Sequence, residues 1–166
     1  MRLFFNGRVL KWETFCDFGE WIADCNVRNE LTDSRALGDP HQVVYAMTGN
    51  RYDRFAYMPR RFPEGTFKVL SITEKDPADT YTWPYFIHTD ACQAVTVWDL
   101  DREGGYLRPT SRRVMDYGYG LHHSSSRTTL GCIRIVYEED VRAFAHLLQK
   151  EMDNKIKSTL SVNYII

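Results

Sequence analysis

Between residues 42 and 114 the chain is cut into short runs, 42–48, 54–58, 66–73, 81–89, 94–100 and 106–114. Each is rich in β-branched or aromatic residues and bounded by Gly, Pro, Asn or Asp. Such runs suit the pleated, half-buried surface of a sheet and read as strands. They follow one another without alternating helices, so the rhythm is all-β rather than βαβ. The acidic, Pro-containing stretch 74–79 and the charged, glycine-rich stretch 101–105 read as surface turns between them.

The flanking regions have different patterns. Asn6-Gly7 between Leu3-Phe4-Phe5 and Val9-Leu10 is a strong two-residue hairpin signal. It also breaks the N-terminal apolar run far short of a signal peptide, and no run reaches the length of a membrane-spanning helix. Residues 12–31 carry Phe15, Phe18, Trp21, Ile22 and Cys25 at helical intervals, with Glu13, Asp17, Glu20 and Asp24 between them; this predicts an amphipathic N-terminal helix. Stretch 29–41, with Asp33, Ser34, Gly38, Asp39 and Pro40, reads as a loop. Near the other end, Val141, Phe144, Leu147, Leu148 and Met152 make one apolar helical face. Acidic Glu138, Glu139 and Asp140 sit at the start of that helix, where its dipole favours them. Residues 159–166 alternate as a last strand. The expected architecture is one mainly β domain over 1–166, with one N-terminal and one C-terminal helix, in which 1–41 embellishes a core of 42–166.

At 166 residues and 43% hydrophobic content, a chain of this kind buries about 70% of its unfolded surface without a disulfide scaffold. A net charge of −1 gives no electrostatic footprint for nucleic acid or an anionic membrane. Cys16 and Cys25 could pair in an oxidising space, but their spacing has no motif value and free thiols are expected. His41, His88, His122 and His123 lie in neither a Cys-x-x-Cys nor a His-Glu-x-x-His pattern, so no metal and no other cofactor is expected.

Stretch 119–134 concentrates the chemistry: a thiol, two imidazoles, several hydroxyls and a cation between glycines. Cys132 becomes a strong nucleophile only if a base or positive charge favours its thiolate, and His122 and His123 are the candidate bases. The stretch 123–131 is long enough to leave one strand, turn, and return beside it. Gly131 allows unusual backbone angles and close approach of a substrate. Main-chain N–H groups there could face an oxyanion. Arg134 could favour thiolate or bind a substrate carboxylate through paired donors. A buried cysteine is ordinarily an inert core residue, but an apolar strand has no need of His-His-Ser-Ser-Ser-Arg-Thr-Thr ahead of it. Asp116 and Tyr117 are further candidates for the groove or equally for a surface turn, and Trp83, Trp98 and Tyr119 are candidates for stacking, although packing is the first reading for each ring.

Tyr119-Gly120-Leu121-His122, followed by Thr129-Leu130-Gly131-Cys132-Ile133-Arg134, resembles the active-site signature of the L,D-transpeptidase (YkuD-like) family. Thr48-Gly49 and Pro63-Glu64-Gly65-Thr66-Phe67-Lys68-Val69 resemble two earlier segments of that family, so the likeness runs over about residues 42 to 166. The loop from histidine to cysteine is shorter than usual, Leu130 stands where the family has histidine, and His123 stands where it has glycine. Short loops of this kind resemble secretion-delivered and phage-associated members.

The resemblance implies a β-sandwich or barrel-like L,D-transpeptidase fold. Cys132 would be the nucleophile and His122 the base, with the His123 carbonyl orienting the imidazole. Gly131 and Cys132 N–H groups would hold the oxyanion, and Arg134, Tyr119, Ser124 and Thr129 would contact substrate. It further implies peptidoglycan stem tetrapeptides as substrate, through a thioester acyl-enzyme, with transpeptidation or L,D-carboxypeptidation as outcome. The site of action would be the periplasm or cell wall, bacterial or phage-associated, reached by a dedicated export route with a secretion-system or immunity protein as partner. A cysteine peptidase cutting another peptide bond, and an inactive peptidoglycan-binding module, are the rival classes.

Overall fold

The computed structural model describes residues 1–27, 45–48, 51–54, 56–57, 60–100, 107–127 and 129–165. In chain order the strands are β1 (Arg2–Phe5), β2 (Val9–Glu13), β3 (Phe18–Asp24), β4 (Tyr45–Thr48), β5 (Arg51–Arg54), β6 (Ala56–Tyr57), β7 (Gly65–Glu74), β8 (Tyr85–Thr89), β9 (Gln93–Leu100), β10 (Leu107–Asp116), β11 (Gly120–His123) and β12 (Ile133–Ile135). Helix α1 (Glu138–Asp153) and strand β13 (Ser158–Val162) follow.

The first hairpin forms as its turn chemistry dictates. Gly7 takes φ 98°, and the Asn6 side-chain oxygen accepts hydrogen bonds from the N–H groups of Arg8 and Val9 at 3.0 and 2.9 Å. Pairing Leu3 with Trp12 and Phe5 with Leu10 then sends Leu3, Phe5 and Leu10 into the core.

Where a helix was expected the chain makes a second hairpin. The Thr14 hydroxyl accepts from Asp17 N–H at 3.1 Å, Thr14 N–H donates to the Asp17 carbonyl at 2.8 Å, and the Asp17 carboxylate accepts from Phe18 N–H at 2.8 Å. Those local bonds favour a turn over a helix at the residues where the helix would have begun. Beyond it, period two wins over period 3.6: Trp21 and Ala23 are buried while Phe18 and Ile22 are exposed, and Phe15 projects fully into solvent. The expected apolar stripe is therefore divided between two faces of a strand.

The sheet order β1-β13-β7-β8-β11-β12-β3-β2 closes into an eight-stranded barrel, the β1–β13 seam being parallel. Strands β1, β2 and β3 are three of its staves, so the described part of 1–41 belongs to the barrel wall instead of embellishing it. The expectation of a mainly β chain holds. Strands β9, β10 and β6 form a second sheet and β4–β5 a separate hairpin. Residues 28–44, which include the whole of the expected loop with His41, lie outside the described residues, as do the expected turn at 101–105 and Gly49.

Helix α1 forms as its pattern predicts. Val141, Phe144 and Leu148 are buried, and Leu147 and Met152 pack more loosely against the same core. Trp21 from β3 meets Phe144 at a centroid distance of 5.2 Å, which ties the helix to the barrel. Each fully buried side chain of this size contributes about 1.5–3 kcal/mol relative to exposure.

Candidate active site

Strands β11 and β12 lie side by side and parallel, with Leu121 opposite Ile133, His122 opposite Arg134 and His123 opposite Ile135. Leu121, Ile133 and Ile135 are fully buried in the core. Alternation therefore puts His122 and Arg134 on the other face of the pair, while Cys132 lies in the turn just ahead of β12. One position before Leu121, the Gly120 main chain faces the Cys132 sulfur.

The imidazole of His122 is held by its own strand. Nδ1 lies 2.8 Å from the His123 carbonyl oxygen, and since a carbonyl only accepts, Nδ1 carries the proton and Nε2 is the bare nitrogen of the neutral ring. The ring stacks on Phe86 at 5.6 Å and 17°. Burial lowers the His122 pKa from its ordinary value of 6.5; the bond to His123 opposes this, the charge of His123 adds to it, and Asp79 and the Tyr81 main chain again oppose it. His123 turns its own Nδ1 to the Ile135 carbonyl at 3.0 Å, locking β11 to β12.

The sulfur is held by a tight turn. Gly131 sits at φ 124°, where a side chain would be strained, would collide with the Arg60 carbonyl and would lie 2.7 Å from the Tyr119 ring. Thr129 Oγ1 donates to the Cys132 carbonyl at 2.8 Å and accepts from Gly131 N–H at 3.2 Å. The Cys132 thiol donates to Gly118 O at 3.6 Å. Although Cys132 keeps some exposed surface, its sulfur is enclosed by protein, and burial pushes the thiol up to about 12; the Gly120 N–H opposes this, while Cys25 and Asp116 reinforce it. Cys25 is a second thiol at the same turn, donating to Gly131 O and accepting from Phe62 N–H, each at 3.3 Å.

Several side chains expected to meet substrate are engaged within the protein. Arg134 forms a two-point ion pair with Asp24, Nε to Oδ1 at 3.0 Å and Nη2 to Oδ2 at 2.5 Å, and its Nη1 donates to Ser126 O at 3.1 Å. It fastens β12 to β3 and to the loop after β11, so it is not the open carboxylate receptor expected of it. Ser124 is buried and its hydroxyl accepts from Ser126 N–H at 3.1 Å. Tyr119 is buried, packs edge-on against Phe62 and accepts from Gln93 Nε2 at 2.8 Å, so it is no exposed stacking platform. The Gly131 N–H expected at the oxyanion is bonded to Thr129. Of the weaker candidates, Asp116 is buried beside the sulfur, with Oδ1 accepting Gly118 N–H at 3.2 Å, whereas Trp83 lies under the Arg142 guanidinium at 4.9 Å.

Phe86, Gly118 and Asp24 were missed from the sequence. Phe86 sits at an alternating position of β8 opposite His122, a signal visible only once the pairing is known. Asp24 lies 110 positions from Arg134 and has no local signature.

Neither a scan against protein-family models nor a search of curated proteins gives a match to this chain.

Proposed function

We propose that this protein is a cysteine acyltransferase of the L,D-transpeptidase type acting on peptidoglycan stem tetrapeptides. The observation that carries this reading is the parallel pairing of β11 with β12, which brings the strand of His122 alongside the strand that the Cys132 turn leads into, with His122 Nδ1 tied to the next residue's carbonyl and Nε2 left as the base. Both groups rest neutral, an imidazole whose pKa burial lowers and a thiol whose pKa burial raises. That is the arrangement of general-base activation, not of a preformed ion pair.

In the reaction, Cys132 Sγ leaves the Gly118 carbonyl, gives its proton to His122 Nε2 and attacks the carbonyl that precedes the terminal D-alanine. The C–N bond breaks as the imidazolium returns the proton to the leaving amine, and a thioester remains on Cys132. An acceptor amine then forms a new amide, or water forms the acid, with release of the thiol. The Cys132 N–H is the oxyanion donor of the original pair that the Thr129 bond leaves to this role. The site of action is the periplasm or cell wall, reached by a dedicated export route.

Purified tetrapeptide muropeptides incubated with the protein should lose D-alanine or exchange it for an added amine, followed by mass spectrometry. Cys132→Ala should lower turnover by about a thousandfold or more, as removal of a nucleophile does. Cys16→Ser, at the exposed hairpin tip, should leave it intact. Undiminished turnover by Cys132→Ala would sink the proposal. A binding module without turnover is the second reading, favoured by the bond from the thiol to Gly118 O where an imidazole contact would be wanted. Stoichiometric binding of the same muropeptides with no change in their mass would select it.

A further inference from the structure

The turn that carries Cys132 holds two thiols, and acyl transfer uses one of them. Cys25 directly follows β3, and its Sγ donates to the Gly131 carbonyl and accepts from Phe62 N–H, each at 3.3 Å. That carbonyl belongs to the peptide group joining Gly131 to Cys132. Across a planar trans peptide a carbonyl oxygen lies about 2.8 Å from the next Cα, so Cys25 Sγ stands within roughly 6 Å of Cys132 Cα. The flanking chain fixes this approach: Asp24 pairs with Arg134 across β3 and β12, Thr129 N–H donates to Asn26 O at 2.9 Å, and Val27 bridges to Thr129. Residues on both sides of Cys25 are thus laced to residues on both sides of Cys132. Both are free thiols, burial holds each towards its neutral form, and Cys25 is among the charges felt at Cys132. The other two cysteines are placed differently. Cys16 sits at the far end of β3, whose seven residues span roughly 20 Å, beyond the reach of a disulfide to Cys25. Cys92 lies in the connection between β8 and β9.

We propose that Cys25 and Cys132 are a dithiol–disulfide pair, a modification site at which oxidation joins the two sulfurs and withdraws Cys132 from nucleophilic chemistry. The co-reactant is a small-molecule disulfide. One protein thiol, as its thiolate, attacks that disulfide and displaces a small thiol, leaving a mixed disulfide; the second protein thiolate then attacks the protein sulfur of this bond and displaces the other small thiol. In balance, the two protein thiols give up two electrons and two protons, and the small disulfide takes them up to become two thiols. To close the bond, Cys132 Sγ turns from Gly118 O and Cys25 Sγ turns from Gly131 O. Only weak sulfur hydrogen bonds are given up, and the product is uncharged, so burial does not oppose it. The linkage also closes a loop of more than a hundred residues, which restricts the unfolded chain and favours the folded one.

The test holds the full chain, folded at pH 8, in a series of glutathione buffers from fully reduced to fully oxidised. Samples are quenched in acid, unfolded in the presence of iodoacetamide and digested without reduction. Mass spectrometry should find the Cys25 peptide joined to the Cys132 peptide, two hydrogens lighter than the separate pair, with Cys16 and Cys92 alkylated or capped by glutathione. At the oxidised end of the series, alkylation of Cys132 should fall by at least about tenfold relative to reduced protein, and dithiothreitol should restore it. In Cys25→Ser the linked species should vanish, and Cys132 should be recovered alkylated or capped by glutathione. Cys132 joined to Cys16 or Cys92, capped by glutathione alone in wild type, or alkylated equally at every buffer ratio overturns the pair, and these readings come from wild-type protein without need of a variant. No substrate enters the measurement. A protein that leaves muropeptides unchanged therefore loses the acyl-transfer reading, while the peptide map still decides for or against the disulfide.

Discussion

On the imidazole side of the site, His122 is positioned by a carbonyl of its own strand and by the face of Phe86, contacts that side-chain and main-chain adjustment could preserve. On the sulfur side, Cys132 follows a glycine at φ 124° wedged between the Arg60 carbonyl and the Tyr119 ring, with Thr129 bridging both ends of the turn. Both groups are driven to their neutral forms by burial. The difference is in tolerance. The base rests on replaceable packing, whereas the nucleophile depends on a backbone shape that only one residue type adopts without strain.

The largest effect should appear in the chemistry of the resting thiol. With its pKa pushed up to about 12, Cys132 is almost wholly protonated at pH 8, so it should alkylate at least about a hundredfold more slowly than a cysteine in a short unstructured peptide. Its rate should still be rising at pH 10. A plateau near pH 7 in iodoacetamide labelling, read by peptide mass spectrometry, would show a thiolate already formed and erase the parallel between the two sides.

Next in size is Gly131→Ala. Strain at positive φ and the collision with Arg60 and Tyr119 together should cost about 3 kcal/mol or more of folding stability, measured by urea unfolding. A loss below about 1 kcal/mol would mean that the turn gives way easily and that the contrast in tolerance is false.

The smallest effect belongs to the imidazole side. Phe86→Leu removes the ring that stacks on His122 and lets water nearer, so the imidazole pKa should rise back towards 6.5 by less than one unit. The sign follows from the base being needed neutral: activity at the acid side should fall off at a higher pH in the variant than in wild type. An NMR titration of the His122 ring gives the shift independently of turnover, and a downward move would contradict burial as its cause.

The fold was legible wherever local chemistry and burial agreed. Asn6-Gly7 marked its hairpin, and α1 and most of the strands from 45 onward follow from periodicity. Residues 12–24 misled because Phe15, Phe18 and Ile22 imitate a helical stripe although they face solvent, while the turn bonds of Thr14 and Asp17 decide the conformation. At the site, the sequence located the segment and the carbonyl that holds His122. It could not show that Arg134 is occupied, because Asp24 arrives from a strand that adjoins β12 only through barrel closure. Burial of the thiol was equally hidden, since it depends on Gly118, Gly120 and Asp116 converging on one atom.

The parallel seam of β1 and β13, pairing Arg2 with Thr159 and Phe5 with Val162, sets a timetable for biosynthesis. A ribosome making about 5–20 residues per second needs roughly ten to thirty seconds between delivering one stave of that seam and the other. Throughout that interval the nascent β1–β2–β3 meander presents an open edge bearing Leu3 and Phe5, and the cylinder cannot be sealed by any strand made earlier. The edge is short and carries Arg2, features that discourage pairing with a neighbouring chain. Chaperone demand should therefore depend on how quickly the last stave emerges, more than on the stability of the finished barrel.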